Sequence, residues 1–503
     1  MNNFKISISS PPLTSNKGVP FLSQNRQFQW TNTGNVIYPI VPAYAATLLK
    51  AKGFEVFWDD AVAQKLTYES WLNRIIKYQP DLIAIESKTP VIKTHWQIIN
   101  DLKARSSKTK NWIPIIVLMG DHVTALPEES LKNSEVDYIL TGGDYDFMLL
   151  SLAIHLTTGS SLEPGFWYRT NKPAHQRTKA LTNSGPFALK HHHLDSLPFL
   201  DRDLTQWQLY SRDNTNYKYL PGTYTMFGRD CWWGKCTFCS WTTLHPSGTF
   251  RSFSPTRALD EIGHIINNYP VREIFDDTGT FPVGKWLFDF CQGLIDRGYH
   301  RRVTIGCNMR FGALTQAQYE LMAKANFRFI LYGLESSNDT TLKRIEKMTI
   351  PSDARASLSL AKRAGLEPHL TIMIGYPWET LKDAQTTLSE ARQLFKDGLA
   401  DSMQATRIIP YPGTPLFRQC LENNWLLTQN WEDYDMRQPI ISSPISHTQQ
   451  EALIQSLFKG ILTPKFLIKK VLSIRNLGDI QFLMRYALKY LKKLKDFSKS
   501  NVQ

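Results

Sequence analysis

The chain has 503 residues, 42% apolar and 20% charged, and these globular proportions exclude a largely disordered or collagen-like protein. Its 58 Lys and Arg outnumber 45 Asp and Glu, a formal charge of +13 that raises nucleic acid and membrane surfaces as partners. Six cysteines are too few for a disulfide scaffold, and a chain of this length predicts two or three domains.

Residues 1–160 alternate short β-rich runs with helical patterns. The predicted strands are 5–9, 55–58, 82–86, 115–118 and 138–141. The helices between them are 42–52, 68–78, 94–105, 127–133 and 147–156. Five strands interleaved with helices predict a doubly wound, Rossmann-like parallel sheet. Ligands of such sheets sit at the carboxyl ends of the strands, where the strand order reverses. The loops expected there carry Ser10-Pro11-Pro12, Asp59-Asp60, Ser87-Lys88-Thr89, Gly120-Asp121-His122 and Gly142-Gly143-Asp144.

Residues 161–215 break this rhythm and read as a linker, with a hairpin-like stretch at 166–177 and the run His191-His192-His193. Consecutive side chains point in different directions, so a solvated linker is expected here in preference to a metal site. From 216 to 440 the alternation resumes. Strands are predicted at 224–228, 273–276, 303–306, 329–333, 370–374 and 403–408, and helices at 256–268, 284–297, 315–325, 351–364 and 381–397. Six parallel strands with crossing helices make a partial or complete (β/α) barrel whose active site lies at the strand C-termini. Residues 441–503 read as a basic helical region. No apolar run reaches the ~18–20 residues that span a bilayer, and the N-terminus lacks a signal-peptide core. A cytoplasmic protein is expected.

Three of the six cysteines fall within nine residues, in Cys231-Trp232-Trp233-Gly234-Lys235-Cys236-Thr237-Phe238-Cys239, directly after the first barrel strand. Three thiolates on one short loop can hold three irons of a [4Fe–4S] cluster and leave the fourth open. The alternatives are a zinc site completed by His245 or inert thiols. Cys307, at the end of the third barrel strand, is expected to be a small buried hydrophobe, with a substrate-facing thiol as the alternative, and Arg310 is a candidate contact for a carboxylate or phosphate.

This loop resembles the cluster loop of the radical S-adenosylmethionine superfamily, with its spacing of four and then two residues in place of three and then two. The resemblance implies Cys231, Cys236 and Cys239 as cluster ligands. It extends to Gly248-Thr249-Phe250-Arg251-Ser252-Phe253-Ser254-Pro255 with Glu261. Asp276 or Asp277, at the second-strand end, would meet the methionyl ammonium of S-adenosylmethionine, and Glu335 in Tyr332-Gly333-Leu334-Glu335-Ser336 would be a polar contact. Gly375 and Pro377, in Gly375-Tyr376-Pro377-Trp378-Glu379, would approach the adenine.

Within that superfamily the N-terminal half resembles the cobalamin-binding domain of the B12-dependent class, through residues 117–129, 136–144 and the linker phrase Leu197-Pro198-Phe199-Leu200-Asp201-Arg202-Asp203. This implies corrin contacts from Ser10, Gly120, Asp121, His122, Gly142 and Gly143. The Asp-x-His-x-x-Gly loop of many B12 proteins is here Asp59-Asp60-Ala61-Val62-Ala63-Gln64, without a cobalt-ligating His.

The resemblance implies a 5′-deoxyadenosyl radical, an electron donor such as flavodoxin or ferredoxin, and methyl transfer to an unactivated carbon of a small-molecule or lipid-derived substrate. Oxidative cyclisation or rearrangement of a tetrapyrrole-like substrate is the alternative, and a non-catalytic sensor a third. Residues 459–499 hold eleven Lys or Arg against two Asp, a net +9, so the excess charge is local and no nucleic acid is needed to explain it. Ile480, Leu483, Ala487, Leu488, Leu491 and Leu494 fall at helical spacing opposite the lysines. Such a helix docks on the barrel or lies on the inner face of a membrane.

Overall fold

Runs such as Leu82–Glu86, with four of five residues buried, suit a parallel sheet covered on both faces. In the computed structural model, which describes residues 4–22, 28–31, 34–108, 112–170, 180–245, 248–461, 474, 478–485 and 487, they form the centre of the first sheet. Its parallel strands are β1 (Lys5–Ser10), β2 (Glu55–Asp60), β3 (Leu82–Glu86), β4 (Ile115–Met119) and β5 (Tyr138–Leu140). They lie in the order β2-β1-β3-β4-β5, which reverses between β1 and β3. The hairpin of β6 (Phe166–Thr170) and β7 (Ala180–Asn183) continues this sheet antiparallel beyond β5. The helices α1 (Ile40–Ala51), α2 (Tyr68–Tyr78), α3 (Ile92–Ser106), α4 (Asp121–Ala125), α5 (Pro127–Asn133) and α6 (Tyr145–Thr158) connect the strands. Thr67 caps α2 through the amide of Ser70. The short α4 stands where the sequence predicts a loop.

The second sheet has six parallel strands in sequence order: β8 (Gly222–Thr225), β9 (Glu273–Asp276), β10 (Thr304–Met309), β11 (Phe327–Glu335), β12 (Glu367–Ile374) and β13 (Ser402–Arg407). Helices α7 (Pro255–Asn268), α8 (Lys285–Asp296), α9 (Gln316–Lys324), α10 (Pro351–Arg363) and α11 (Leu381–Lys396) alternate with them, giving an open (β/α)6 barrel. Ser254 with Pro255, and a Thr380–Asp383 capping box, start α7 and α11 where Ser/Thr caps are expected.

The lumen is closed at its floor. Phe275 packs edge-on and tilted between Tyr224 and Phe329, and Phe329 reaches His369, with centroids 5.4–5.9 Å apart. Below this layer, Arg328 bridges Glu273 and Glu367 at 2.5 and 2.6 Å, and Lys218 joins Glu367 to Asp479 at 3.0 Å. A buried cation between two carboxylates offsets its desolvation by pairing.

The linker phrase is the hinge pin between the halves. Asp201 pairs with Lys50 of α1 at 2.7 Å, while the fully buried Arg202 pairs with Glu261 of α7 at 3.0 Å. Beyond the barrel, residues 428–437 return to the first half. There Lys17 pairs with Asp435, and Trp431 donates to Glu129. The helix His447–Ile461 buries Ile454 and Leu457 against the barrel. Residues 478–485 are helical: Asp479 pairs with Lys218 and Arg485 donates to the Lys218 carbonyl, while Ile480 and Met484 are exposed. The rest of the expected basic helix, Ala487 aside, lies outside the described residues.

Candidate active site

The cysteine loop is held at both ends and in the middle. Cys231 bridges in parallel to Thr280, its Sγ 3.0 Å from the Thr280 hydroxyl. A Cβ on Gly279 would stand 2.9 Å from the Cys231 Cβ, so glycine is needed for the β9 loop to approach this closely. Trp232 and Trp233 donate their indole N–H groups to the carbonyls of Phe281 and Glu346. The Thr237 amide donates to Ile345, and the Cys239 amide turns back onto Cys236. Burial pushes the Cys236 thiol up to about 11, and Lys347 pulls it back toward the thiolate.

Among the described residues, no three His, Cys, Asp or Glu side chains are placed to hold one metal ion. His245, the fourth ligand that zinc would need, stacks instead on Trp241, and its ring fills the space above Gly143. A cluster asks for something different, since each of its irons takes one thiolate. Three cysteines on one pinned loop, with Lys347 beside them, suit that donor set.

Strand alternation decides between the two candidate aspartates. Asp276 pairs in register with Cys307 and accepts hydrogen bonds from the Thr225 hydroxyl and the amides of Phe227 and Thr278. Its carboxylate holds β8 to β9, so of the two candidates the geometry favours Asp277. Asp277 turns to the lumen, where Asn308 donates to it at 3.3 Å. The Asn308 Oδ1 is buried and unpartnered, and together with Asp277 it forms an acceptor pair suited to an ammonium group. Cys307 is fully buried in the core.

Glu335 lies at a register shift in β11 with φ +61°, buried and paired to Lys347 at 3.1 Å. Its carboxylate folds over Gly333, where a Cβ would meet it at 2.1 Å. Gly375, at φ +91°, donates its amide to Glu379 at 2.7 Å, and Pro377 follows, half-buried, in the same turn. Burial lifts Glu379 to about 7 and leaves its Oε1 unpartnered. The cysteine loop, Asp277, Glu335, Gly375 and Pro377 all lie at the C-terminal ends of the barrel strands. Asn308, Lys347 and Gly279 went unread in the sequence.

The corrin candidates fare unevenly. Ser10 is half-buried at the end of β1, beside the reversal of strand order. Asp121 lies buried near Lys88, which pairs with Glu86 at 3.0 Å. The Tyr145 hydroxyl, close to Glu86 and Asp121, is buried without a partner and is the polar group these strand ends leave for a ligand. His122 is fully buried, bonded to Thr89 and Glu129, and capped by the Trp431 ring at 5.2 Å. The three glycines are required by internal packing. A Cβ would meet the Ser87 carbonyl oxygen at 2.1 Å from Gly120, the Phe187 ring at 2.4 Å from Gly142, and the His245 ring at 2.4 Å from Gly143. Gly142 also lines a cavity of about 520 Å³ with Thr141, Trp167, Phe187, Thr243 and His245.

Asp144 joins the two halves. It accepts from Arg251 at 2.9 Å and His192 at 2.8 Å, with Arg229 at 3.5 Å; Arg229 also pairs with Asp146 at 2.6 Å. All but Arg251 are at least nine-tenths buried. The histidine run is therefore no solvated linker at its centre: His192 is packed on Phe147, with ring centroids 4.7 Å apart. Arg229 stands two residues before Cys231, so this network anchors the cysteine loop to the end of β5. Arg310 stacks on Trp233 at 3.8 Å and donates to the Met348 carbonyl.

Residues 225–391 match the model of the Radical SAM superfamily. The chain is 26% identical over 441 residues to an uncharacterized methyltransferase of Pyrococcus horikoshii, covering 86% of this chain and 90% of that one. It is 23% identical over 465 residues to the anaerobic magnesium-protoporphyrin IX monomethyl ester cyclase of Cereibacter sphaeroides, covering 90% of this chain and 71% of that one. It also superposes on the radical S-adenosylmethionine methyltransferase TsrM of Kitasatospora setae, solved with cobalamin and a [4Fe-4S] cluster bound. That match has a TM-score of 0.67 at 12% identity and covers 97% of this chain and 99% of the other.

Proposed function

We propose that this chain, a radical SAM enzyme through residues 225–391, is a cobalamin-dependent methyltransferase acting on an unactivated carbon of a small-molecule or lipid-derived substrate. The observation that carries the reading is the joint between the halves. A doubly wound sheet with its order reversal at β1 and β3 is locked, through Asp144 and Asp146, to the strand that delivers Cys231. The likeness in sequence to the Pyrococcus methyltransferase and in fold to TsrM supports it.

When bound, a [4Fe–4S] cluster and S-adenosylmethionine supply a 5′-deoxyadenosyl radical, and cobalamin supplies a methyl group. The chain supplies position. Cys231, Cys236 and Cys239 hold the cluster, Asp277 and Asn308 accept from the methionyl ammonium, and the Gly375 turn brings backbone to the adenine. Glu335 is held for its contact by Lys347. Ser10 at the end of β1, Asp121 after β4 and the Tyr145 hydroxyl at the start of α6 face the corrin's edge. The aromatic floor of Tyr224, Phe275 and Phe329 excludes water from below.

Oxidative cyclisation is the second reading, favoured by the match to the cyclase along 90% of this chain. Anaerobically reconstituted protein, given S-adenosylmethionine labelled in its methyl group and a lysate of the source organism, separates the two. Labelled methyl in a product supports methyl transfer, and an unlabelled product short of two hydrogens supports cyclisation. Cluster absorption retained in full by Cys231→Ala, Cys236→Ala and Cys239→Ala alike would refute both.

A further inference from the structure

The outer side of the cysteine loop is itself protein surface. Lys235 is exposed, and Trp232 and Trp233 are half-buried. Against this loop lies the turn that follows the short helix Asp339–Arg344, in contact through three bonds: Trp233 Nε1 to the Glu346 carbonyl at 2.8 Å, Arg310 Nη2 to the Met348 carbonyl at 2.9 Å, and the Thr237 amide to the Ile345 carbonyl at 3.0 Å. The turn presents Met348 at 59% and Ile350 at 53% exposure. Two of its residues, Glu346 and Met348, are held at φ +51° and +52°, a left-handed backbone that costs energy for non-glycine residues. Nothing in the described chain covers these side chains.

Charge rings the same patch. Lys235, Lys343 and Arg344 are exposed around it, with Glu346 the exposed acid between them. Arg310 lies over the Trp233 ring at 3.8 Å, Lys235 over the same ring at 5.2 Å, and Arg344 over Trp378 at 5.1 Å. Apolar side chains and aromatic rings at the centre, with cations at the rim, form the anatomy of a protein–protein contact. Electron-transfer partners use small contacts of this kind, below roughly 1,200 Å² in total.

We propose that this face, Trp233 with the 343–350 turn, is the docking site of a small acidic one-electron carrier protein with a flavin or iron–sulfur centre. The inference rests on the radical reading above, in which each turnover begins with one electron entering at the cysteine loop. The carrier's reduced centre gives up one electron and becomes oxidised by one, and the oxidised cluster held by Cys231, Cys236 and Cys239 is reduced by one. No proton or group moves. Cations steer an acidic partner, and Met348 and Ile350 anchor it over the loop that holds the acceptor. The opposite end of the barrel, closed by the Glu273–Arg328–Glu367 network, offers no comparable approach.

The test uses the full reconstituted chain and a purified flavodoxin. Association is followed by surface plasmon resonance at low and high salt, and cluster reduction by absorbance with either reduced flavodoxin or dithionite. Lys343→Glu combined with Arg344→Glu is expected to slow association about tenfold or more at low salt and to flatten its salt dependence. Met348→Ser is expected to speed dissociation. Both variants keep the wild-type rate with dithionite. Wild-type association in both, or an equal loss from Lys52→Glu at the exposed end of α1, would overturn the docking face while leaving the radical reading intact. A wild-type cluster that neither flavodoxin nor dithionite reduces would overturn both.

Discussion

His192 makes the stability of the junction depend on pH in a direction opposite to the carboxylates around it. Its Nδ1 faces Asp144 at 2.8 Å and its Nε2 faces Glu163 at 3.2 Å; Arg251 donates to its carbonyl, and the rings of Phe147 and Phe187 cover it. Burial alone would discharge the ring, but the two carboxylates outweigh it and hold the imidazolium up to about 9, against 6.5 for a free histidine. Asp144 is driven the other way, well below the carboxylate range, by His192, Arg229 and Arg251 against the cost of burial. A pKa raised on folding stabilises fully below the unfolded value and loses that contribution as pH climbs through the folded one. A rise from 6.5 to about 9, at 1.36 kcal/mol per unit, corresponds to about 3 kcal/mol. The wild type should therefore lose about 3 kcal/mol relative to His192→Gln between pH 6.5 and 9.5, groups common to both cancelling in the difference. Urea midpoints of the two proteins, followed across that range by tryptophan fluorescence, measure it. A wild-type advantage that stays constant from pH 6.5 to 9.5 would refute the charged pair.

Two further perturbations separate roles that the sequence merges. Asp276→Asn turns an acceptor of three hydrogen bonds into a partial donor and should cost about 1–3 kcal/mol of stability. Asp277→Asn should leave stability alone and weaken S-adenosylmethionine binding about tenfold or more, read by equilibrium dialysis; the reverse assignment would show the opposite pattern. Gly120→Ala forces a Cβ to within 2.1 Å of the Ser87 carbonyl at φ +129°, and should cost about 3 kcal/mol whether or not cobalamin is present. A variant of native stability that had lost only corrin binding would restore this glycine as a ligand contact.

The alternation of apolar runs and helical patterns placed both sheets, because a strand buried on two faces must be apolar throughout and a crossover helix must show one apolar stripe. β3 and α5, for example, have the bounds read from sequence. The three cysteines are local in the chain, so their spacing made a candidate metal loop legible, and the resemblance narrowed it to a cluster. Local reading could not show which way a side chain turns once strands are side by side. Asp276 ends β9 in register with Cys307 and Asp277 follows it, and only their partners across the sheet, Thr225 for the first and Asn308 for the second, tell them apart. The glycines after β4 and β5 looked like space for a ligand, yet Ser87, Phe187 and His245 occupy that space from 33, 45 and 102 residues away. The histidine run looked solvated until Asp144 and Glu163 were brought to it. Periodicity and local spacing thus determined the layers and gathered three cysteines on one loop; long-range packing alone decided which polar groups are spent on holding the halves together.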